Sequence, residues 1–318
     1  MTNLSLFDFE PSKTTSRARF FEEIEPHLPI TEWIAYISPF YYAATEHGGR
    51  PPKPLEIVLR TYLVQNFFSL SDEGTEDAVH DILSVRKFVG ITINDSDIPD
   101  KSTICRFRNL LIEHGIQQKF FDQVVNSLTA KGLIMKKGTI VDSTIIECST
   151  SKRNIDKSCD PESAWTKKAG NYKRGYKSHI GVDAHSGLVT SNKTTPANTH
   201  DVNIGNELLH GGEETVLGDS GYLGIENHRN ALAKRKYRIM ARPSQVRKMP
   251  TSEQAHAMQR QTAIASVRAK VEHCFATVKR LFGWRRTAYR GLKKNAAKLN
   301  MLFALSNLWK ASRCEKFA

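Results

Sequence analysis

The chain has 318 residues, 40% of them apolar, enough for one large or two medium domains with a sizeable core. A formal net charge of +13 and a pI near 9.5 point to a polyanionic partner. No apolar run approaches the roughly 18 residues of a membrane span, and the basic region lacks a long amphipathic helix with an aromatic and leucine face, so a membrane is not the expected polyanion. The start, MTNLSLFDFEPSK, lacks a signal-peptide pattern, and the five cysteines are scattered singly with no C-x-x-C pair. Reduced thiols in the cytoplasm, at the nucleoid, fit that usage better than structural zinc.

In chain order, residues 1–13 read as a loose arm. A helical pattern with Phe20, Phe21 and Ile24 covers 16–27, and an aromatic-rich helical region with Trp33, Ile37 and Tyr41 runs on to Tyr42. GGRPPKP (48–54) is a breaker. The next helix is predicted over 55–68, with Val58, Leu59, Tyr62, Leu63 and Phe67 on one face. Another follows over 75–89, with Ser71 and Asp72 as caps. After a turn at 94–100, residues 101–114 form a helix capped by Asp100 or Ser102. Ile104, Phe107 and Leu111 face inward there, and Lys101, Arg106 and Arg108 face elsewhere. This pattern fits the DNA-reading helix of a helix-turn-helix, and equally a core helix with a basic outer face. A helix over 117–131 closes an all-α region of residues 1–132.

At Gly138 the period changes from helical to strand-like, opening a second region, 133–318. GTIVDSTIIE (138–147) surrounds a single acid, Asp142, which is costly to bury unpaired. A basic, polar stretch (151–176) reads as a long loop near nucleic acid. SHIGVDAHSGLVTSNKTT (178–195) is a hairpin turning at His185, Ser186 and Gly187, and a helix follows over 202–209. TVLGDSGYLG (215–224) is a short strand ending at Asp219, then a Gly-rich turn and a helix over 225–234. An acid at the carboxyl end of a strand is where open α/β sheets place their chemistry, although Asp219 also suits a simple helix cap. RKYRIMARP is one more strand, and 246–261 a polar connector.

The stretch 264–282 reads as one long helix. Ile264, Val267, Val271, Phe275, Val278 and Phe282 share one side, and Arg268, Glu272 and Lys279 form a strip beside it. Residues 228–298 hold 19 Lys and Arg against two acids, Glu253 and Glu272. FGWRRTAYRGLKKN, with Arg285, Arg286, Tyr289, Arg290, Lys293 and Lys294 around Trp284, suits phosphate contact with stacking. An apolar helix over 296–309 ends the region. Three separated carboxylates, Asp142, Asp219 and Glu272, in strongly positive surroundings suit two Mg²⁺ ions, which drive in-line phosphoryl displacement.

The ordered set GTIVDSTIIE, SHIGVD (178–183), ANTHD (197–201), DSGY (219–222), Arg268-x3-Glu272-x6-Lys279 and YRGLKKN (289–295) resembles bacterial insertion-sequence transposases of the DDE type, in the group named after insertion sequence five. PPKPLEIVLRTYLVQNFFSLSDEGTEDAVHD (51–81) resembles that family's N-terminal domain. The resemblance implies an RNase H-like mixed-sheet α/β catalytic domain preceded by an all-α domain for DNA binding and assembly. It implies Asp142, Asp219 and Glu272 as the metal-binding triad, with two Mg²⁺ ions for which Mn²⁺ can substitute. It also implies cleavage at the element's ends and strand transfer into target DNA by a homodimer in a synaptic complex. Arg268 and Lys279 match positions thought to contact DNA, to which Arg280, the basic segment and Lys101, Arg106 and Arg108 add candidates. The family motif often has Tyr three residues before the Arg, and this chain has Ala265. Glu147, Asp183 and Asp201 compete for the metal but are expected to support the site rather than form it, as are His200 and His273. The rival classes are a repressor-like DNA-binding protein without catalysis and a stand-alone Mg²⁺-dependent nuclease.

Overall fold

The computed structural model describes residues 13–41, 51–91, 97–151, 158–168, 170–228, 231 and 235–314. The predicted N-terminal arm up to residue 12, Tyr42, the first part of the 48–54 breaker, the start of the 94–100 turn and most of the end of the 225–234 helix lie outside the described residues, as do 152–157. The chain divides into two compact units, residues 1–121 with 308–318, and residues 122–307.

The first unit is helical. α1 (Ser16–Ile24), α2 (Ile30–Ile37) and α3 (Leu55–Phe68) fall where the apolar spacing places them. The predicted 75–89 helix is two helices, α4 (Asp72–Asp81) and α5 (Leu83–Val89), because Ile82 takes an extended conformation (φ −108°, ψ 108°). The break turns Phe88 onto Phe21, with the rings stacked at 4.2 Å. α6 (Lys101–Glu113) starts at Asp100, whose carboxylate accepts from the Thr103 amide at 2.6 Å. The Thr103 hydrogen bonds hold Asp100 down at about 2. α7 (Ile116–Ala130) leads out of the unit. The end of the C-terminal helix belongs here, with Trp309 against Phe20 at 4.8 Å.

Arg108 departs from the outward position expected of it. It is buried, its Nη2 donates to Asp72 Oδ2 at 2.8 Å, and its other terminal nitrogen reaches Asp72 and Gln65. Gln65 itself donates to Asp72 at 2.7 Å. This pair ties α6 to α3 and α4, so Arg108 is committed to the interior. Removing one partner of a buried pair strands the other charge. Arg108→Ala should therefore destabilise the chain by about 3 kcal/mol in a denaturant titration.

The second unit is built on a mixed sheet of β1 (Gly138–Glu147), β2 (Ala164–Lys168), β3 (Asn171–Asp183), β4 (Val189–Pro196), β5 (Thr215–Gly218) and β6 (Lys236–Ile239). β3 runs antiparallel to β1, and β5 and β6 run parallel on β1's other side. β2 and β4 follow one another along the far edge of β3. The predicted hairpin at 178–195 is present, but β3 begins seven residues earlier, and with β2 it makes a second hairpin inside the stretch read as a loop. α8 (Asp201–Gly205), α9 (Pro243–Arg247), α10 (Thr251–Ala276) and α11 (Leu292–Cys314) complete the chain. Most of the expected polar connector is thus helical, and a π-helical turn, Thr277–Leu281, prolongs α10. Val271, Phe275, Val278 and Phe282 of the predicted stripe are buried, while Ile264 and Val267 are half-buried.

Candidate active site

The parallel ladder between β1 and β5 pairs Gly138 with Thr215, Thr139 with Val216, Ile140 with Leu217 and Val141 with Gly218. The next rung would set Asp142 beside Asp219, where β5 ends. Neighbouring strands lie about 4.8 Å apart, so the two carboxylates are neighbours by register alone. Residue 218 must be small to allow this. A Cβ there would meet Ile239 at 3.0 Å and Tyr222 and Val141 at 3.2 Å. Behind the acids Val141, Ile204, Leu208, Val216, Tyr222 and Ile225 form an apolar floor.

Asp142 is 9% exposed. Burial raises its carboxyl from the usual 3.8 to about 6, against the pull of Arg268 and the Ser143 amide and with the push of Asp219. Its Oδ2 accepts from Arg268 Nη2 at 2.9 Å, and its Oδ1 from the Ser143 amide at 2.7 Å. Asp219 Oδ1 accepts from the Gly221 amide at 2.8 Å, so this acid also caps its own turn.

α10 supplies the opposite wall. Lys270 donates to the carbonyls of Ala184 and His185, both at 2.7 Å, which fixes the helix on the β3–β4 turn. Glu272 is exposed and lines a cleft of about 400 Å³ with Asp142, Ser143, Thr144, Lys168, His273, Lys279 and Arg280. Asp219 and Arg268 line a neighbouring cleft of about 530 Å³ with Met240 and Pro243. The expected strip of Glu272 between two cations does not form as an ion pair among the described residues. Arg268 is turned to Asp142. Lys279 donates to Thr144 Oγ1 at 2.6 Å and to the Ile145 carbonyl at 2.9 Å. Burial lowers the Lys279 ammonium, and Lys168 and Lys173 push the same way.

The competing acids have other work. Asp183 is 1% exposed and accepts from the amides of Lys136, His185 and Ser186, which shapes the β3–β4 turn. Glu147 is paired with Lys173, which holds it low. Asp201, at the start of α8, accepts from Ser143 Oγ at 2.8 Å and Lys177 Nζ at 3.2 Å. It approaches the site nonetheless. A Cβ on Gly221 would lie 3.0 Å from Asp219 Oδ1 and 3.4 Å from Asp201 Oδ2. The Ser143–Asp201–Lys177 chain had no local signal, since its members lie on three separate elements. His200 and His273 are exposed, and His273 lines the cleft.

Among the basic candidates, Arg280, Arg285, Arg286, Arg290, Lys293 and Lys294 are exposed and Tyr289 is half-buried. Trp284, expected to stack on bases, is instead 3% exposed. Lys101 and Arg106 are exposed on α6 in the first unit, and Lys101 pairs with Glu73 at 3.2 Å.

A carboxyl raised from 3.8 to about 6 makes the folded chain bind more protons than the unfolded chain in that window. Its contribution to stability is full below 3.8 and is lost as pH rises toward about 6. In melting curves taken across this range, Asp142→Asn should remove that part of the pH dependence. An unaltered profile would contradict the raised carboxyl.

Comparison with solved structures gives no match. The family model described as Transposase domain (DUF772) matches residues 6–110. The model described as Transposase DDE domain matches residues 134–308, a span that contains β1, β5 and the Glu272 helix. The chain therefore belongs to the DDE-domain transposases.

Proposed function

We propose that this chain is the transposase of a bacterial insertion sequence in the group named after insertion sequence five, and that it cuts DNA at the element's ends and joins them to target DNA. The observation that carries the reading is the β1–β5 register, which brings Asp142, midway along β1, next to Asp219, just past the end of β5, with Glu272 lining the cleft that Asp142 enters. The order β4–β3–β1–β5–β6, antiparallel on one side of β1 and parallel on the other, supports an RNase H-like core for residues 133–318. The helical region before it, 1–132, would serve DNA binding and assembly.

The donor set is all oxygen, which suits Mg²⁺ or Mn²⁺. Asp142 and Asp219 would hold the ion and Glu272 would close the set. Among the described residues no three such side chains converge tightly enough to hold a metal as they stand. On the Asp142 side, Arg268 already supplies a positive charge to that carboxylate. When bound, the ions would stabilise the entering and leaving oxygens of an in-line displacement. Asp142 must lose its proton to take part, so protons compete with the ion there and binding of the ion weakens as pH falls. Arg268, once released, is placed to take a DNA phosphate through its planar fork. Arg280, Arg285, Arg286, Arg290, Lys293 and Lys294 offer the cations to track the backbone. Joining two ends at one event calls for two copies, a homodimer on DNA.

The test is incubation of purified protein with Mg²⁺ and labelled DNA carrying candidate ends. Nicks and joined products support the transposase. Nicks alone indicate a nuclease, and binding alone a repressor. Asp142→Asn, Asp219→Asn and Glu272→Gln should each slow strand cleavage by at least about 10²-fold, the scale of losing a group that stabilises developing charge. End binding should persist. Loss of binding with unchanged cleavage per complex would refute the roles.

Lys279 and Arg280 should part company. Arg280→Ala should reduce the slope of log affinity against log salt by about 1. Lys279→Ala removes the tie to β1 and should lower stability by about 1–2 kcal/mol in a denaturant titration, with a smaller effect on that slope. Equal salt effects would make Lys279 a phosphate contact as well.

A further inference from the structure

The β2–β3 hairpin lies within a stretch that gave no strand signal, and its two faces are chemically different. Its register pairs Trp165 with Arg174 and Lys167 with Tyr172. Side chains alternate along a strand, so Trp165, Lys167, Tyr172 and Arg174 share one face, and Lys168, Asn171 and Lys173 the other. On the first face Trp165 is 52% exposed and Tyr172 70%. They stand at the diagonal of the ladder, a spacing within mutual reach of aromatic side chains. Lys167 Nζ lies 5.5 Å from the centre of the Tyr172 ring. Arg174, on the same face, donates to Ser163 Oγ and to the Asp160 carbonyl, both at 2.8 Å, which anchors the strand. On the second face Lys168 lines the cleft of Asp142 and Glu272, and Lys173 pairs with Glu147 at the end of β1. Residues 164–175 hold four Lys and Arg and no acid.

Two large rings left in water beside cations, on a hairpin whose Lys168 lines the reaction cleft, fit one kind of occupant. Base faces stack on aromatic side chains while the phosphates meet lysines. A duplex keeps its base faces covered, so the occupant must be unpaired. We infer that the Trp165–Tyr172 face is a stacking platform for unpaired nucleotides of the DNA strand separated beside the cut. This rests on the transposase reading above for the origin of the strand. The stacking role expected at Trp284 therefore falls to a different segment, since Trp284 is buried.

The experiment uses the full chain in EDTA, so that binding is read without cleavage. The probes are a single-stranded oligothymidylate of about 15 nucleotides and a duplex of equal length. Trp33 and Trp284 are buried and Trp309 is half-buried in the first unit, so Trp165, 52% exposed, is the tryptophan best placed to report a ligand. The single strand should quench tryptophan emission, and the quench should be absent in Trp165→Phe. Trp165→Ala and Tyr172→Ala should each weaken single-strand binding by roughly tenfold or more, the scale of one stacked base, and leave duplex binding unchanged. Both side chains are exposed, so the melting temperature should hold. Trp165→Phe, which keeps a ring, should retain most of the affinity. Equal losses for duplex and single strand would overturn the platform. So would concentration-dependent self-association lost in the Trp165→Ala/Tyr172→Ala variant with single-strand binding intact, which would assign the face to a second copy. Cleavage that still requires Asp142 while single-strand binding ignores both aromatics would remove the platform and leave the transposase standing.

Discussion

The candidate site of the second unit follows from the parallel register of β1 on β5. One rung beyond Val141 and Gly218 the shorter strand ends, and two aspartates are left side by side over an apolar floor. A shift of one residue would turn Asp142 to the other face of the sheet. The register is held by packing. Val141 and Val216 are fully buried, and the space above Gly218 is closed by Ile239 and Tyr222. The sheet therefore fixes the distance between two charges that repel, and it does so with hydrophobic contacts that do not depend on pH.

Two carboxylates held together in a desolvated place need a cation. Arg268 supplies it across 126 positions of sequence. The helix that brings Arg268 also brings Glu272 one turn later, and it is pinned at both ends of that segment. Lys270 holds it to the β3–β4 turn and Lys279 to β1. The same helix thus pairs a cation with Asp142 and lines the cleft of that acid with Glu272. Lys279 lies in the π-helical turn Thr277–Leu281, and such turns recur at functional sites.

The basic residues sort into two populations that a charge count merges. Arg108, Arg268, Lys177 and Lys279 are internal ties, each on a named carboxylate, hydroxyl or carbonyl. Arg280, Lys293, Lys294, Lys167 and Lys168 face solvent. Of the solvent-facing set, Lys168 and Arg280 line the cleft of Asp142, and Lys293 and Lys294 follow on the segment after α10.

The amino-acid order alone determined the local elements wherever periodicity and caps are strong. The apolar spacing of α3, the β-branched run of β1, the Asp100 cap and the placing of Asp219 at a strand end are all short-range properties, set by neighbours a few residues apart. It also singled out Asp142, Asp219 and Glu272, because their surroundings are unusual for carboxylates, and the structure puts Glu272 in the cleft of Asp142 and Asp219 in the neighbouring one. Tertiary structure decided what depends on pairing between distant segments. β2 and the start of β3 are too polar to announce themselves, and they become strands only because β1 offers an edge to Gly175 and its neighbours. Trp284 looked like a surface ring among arginines and was taken inside. Arg268 chose Asp142 over Glu272, its neighbour on the same helix. Each of these outcomes turns on register and burial, which a stretch of sequence read by itself does not contain.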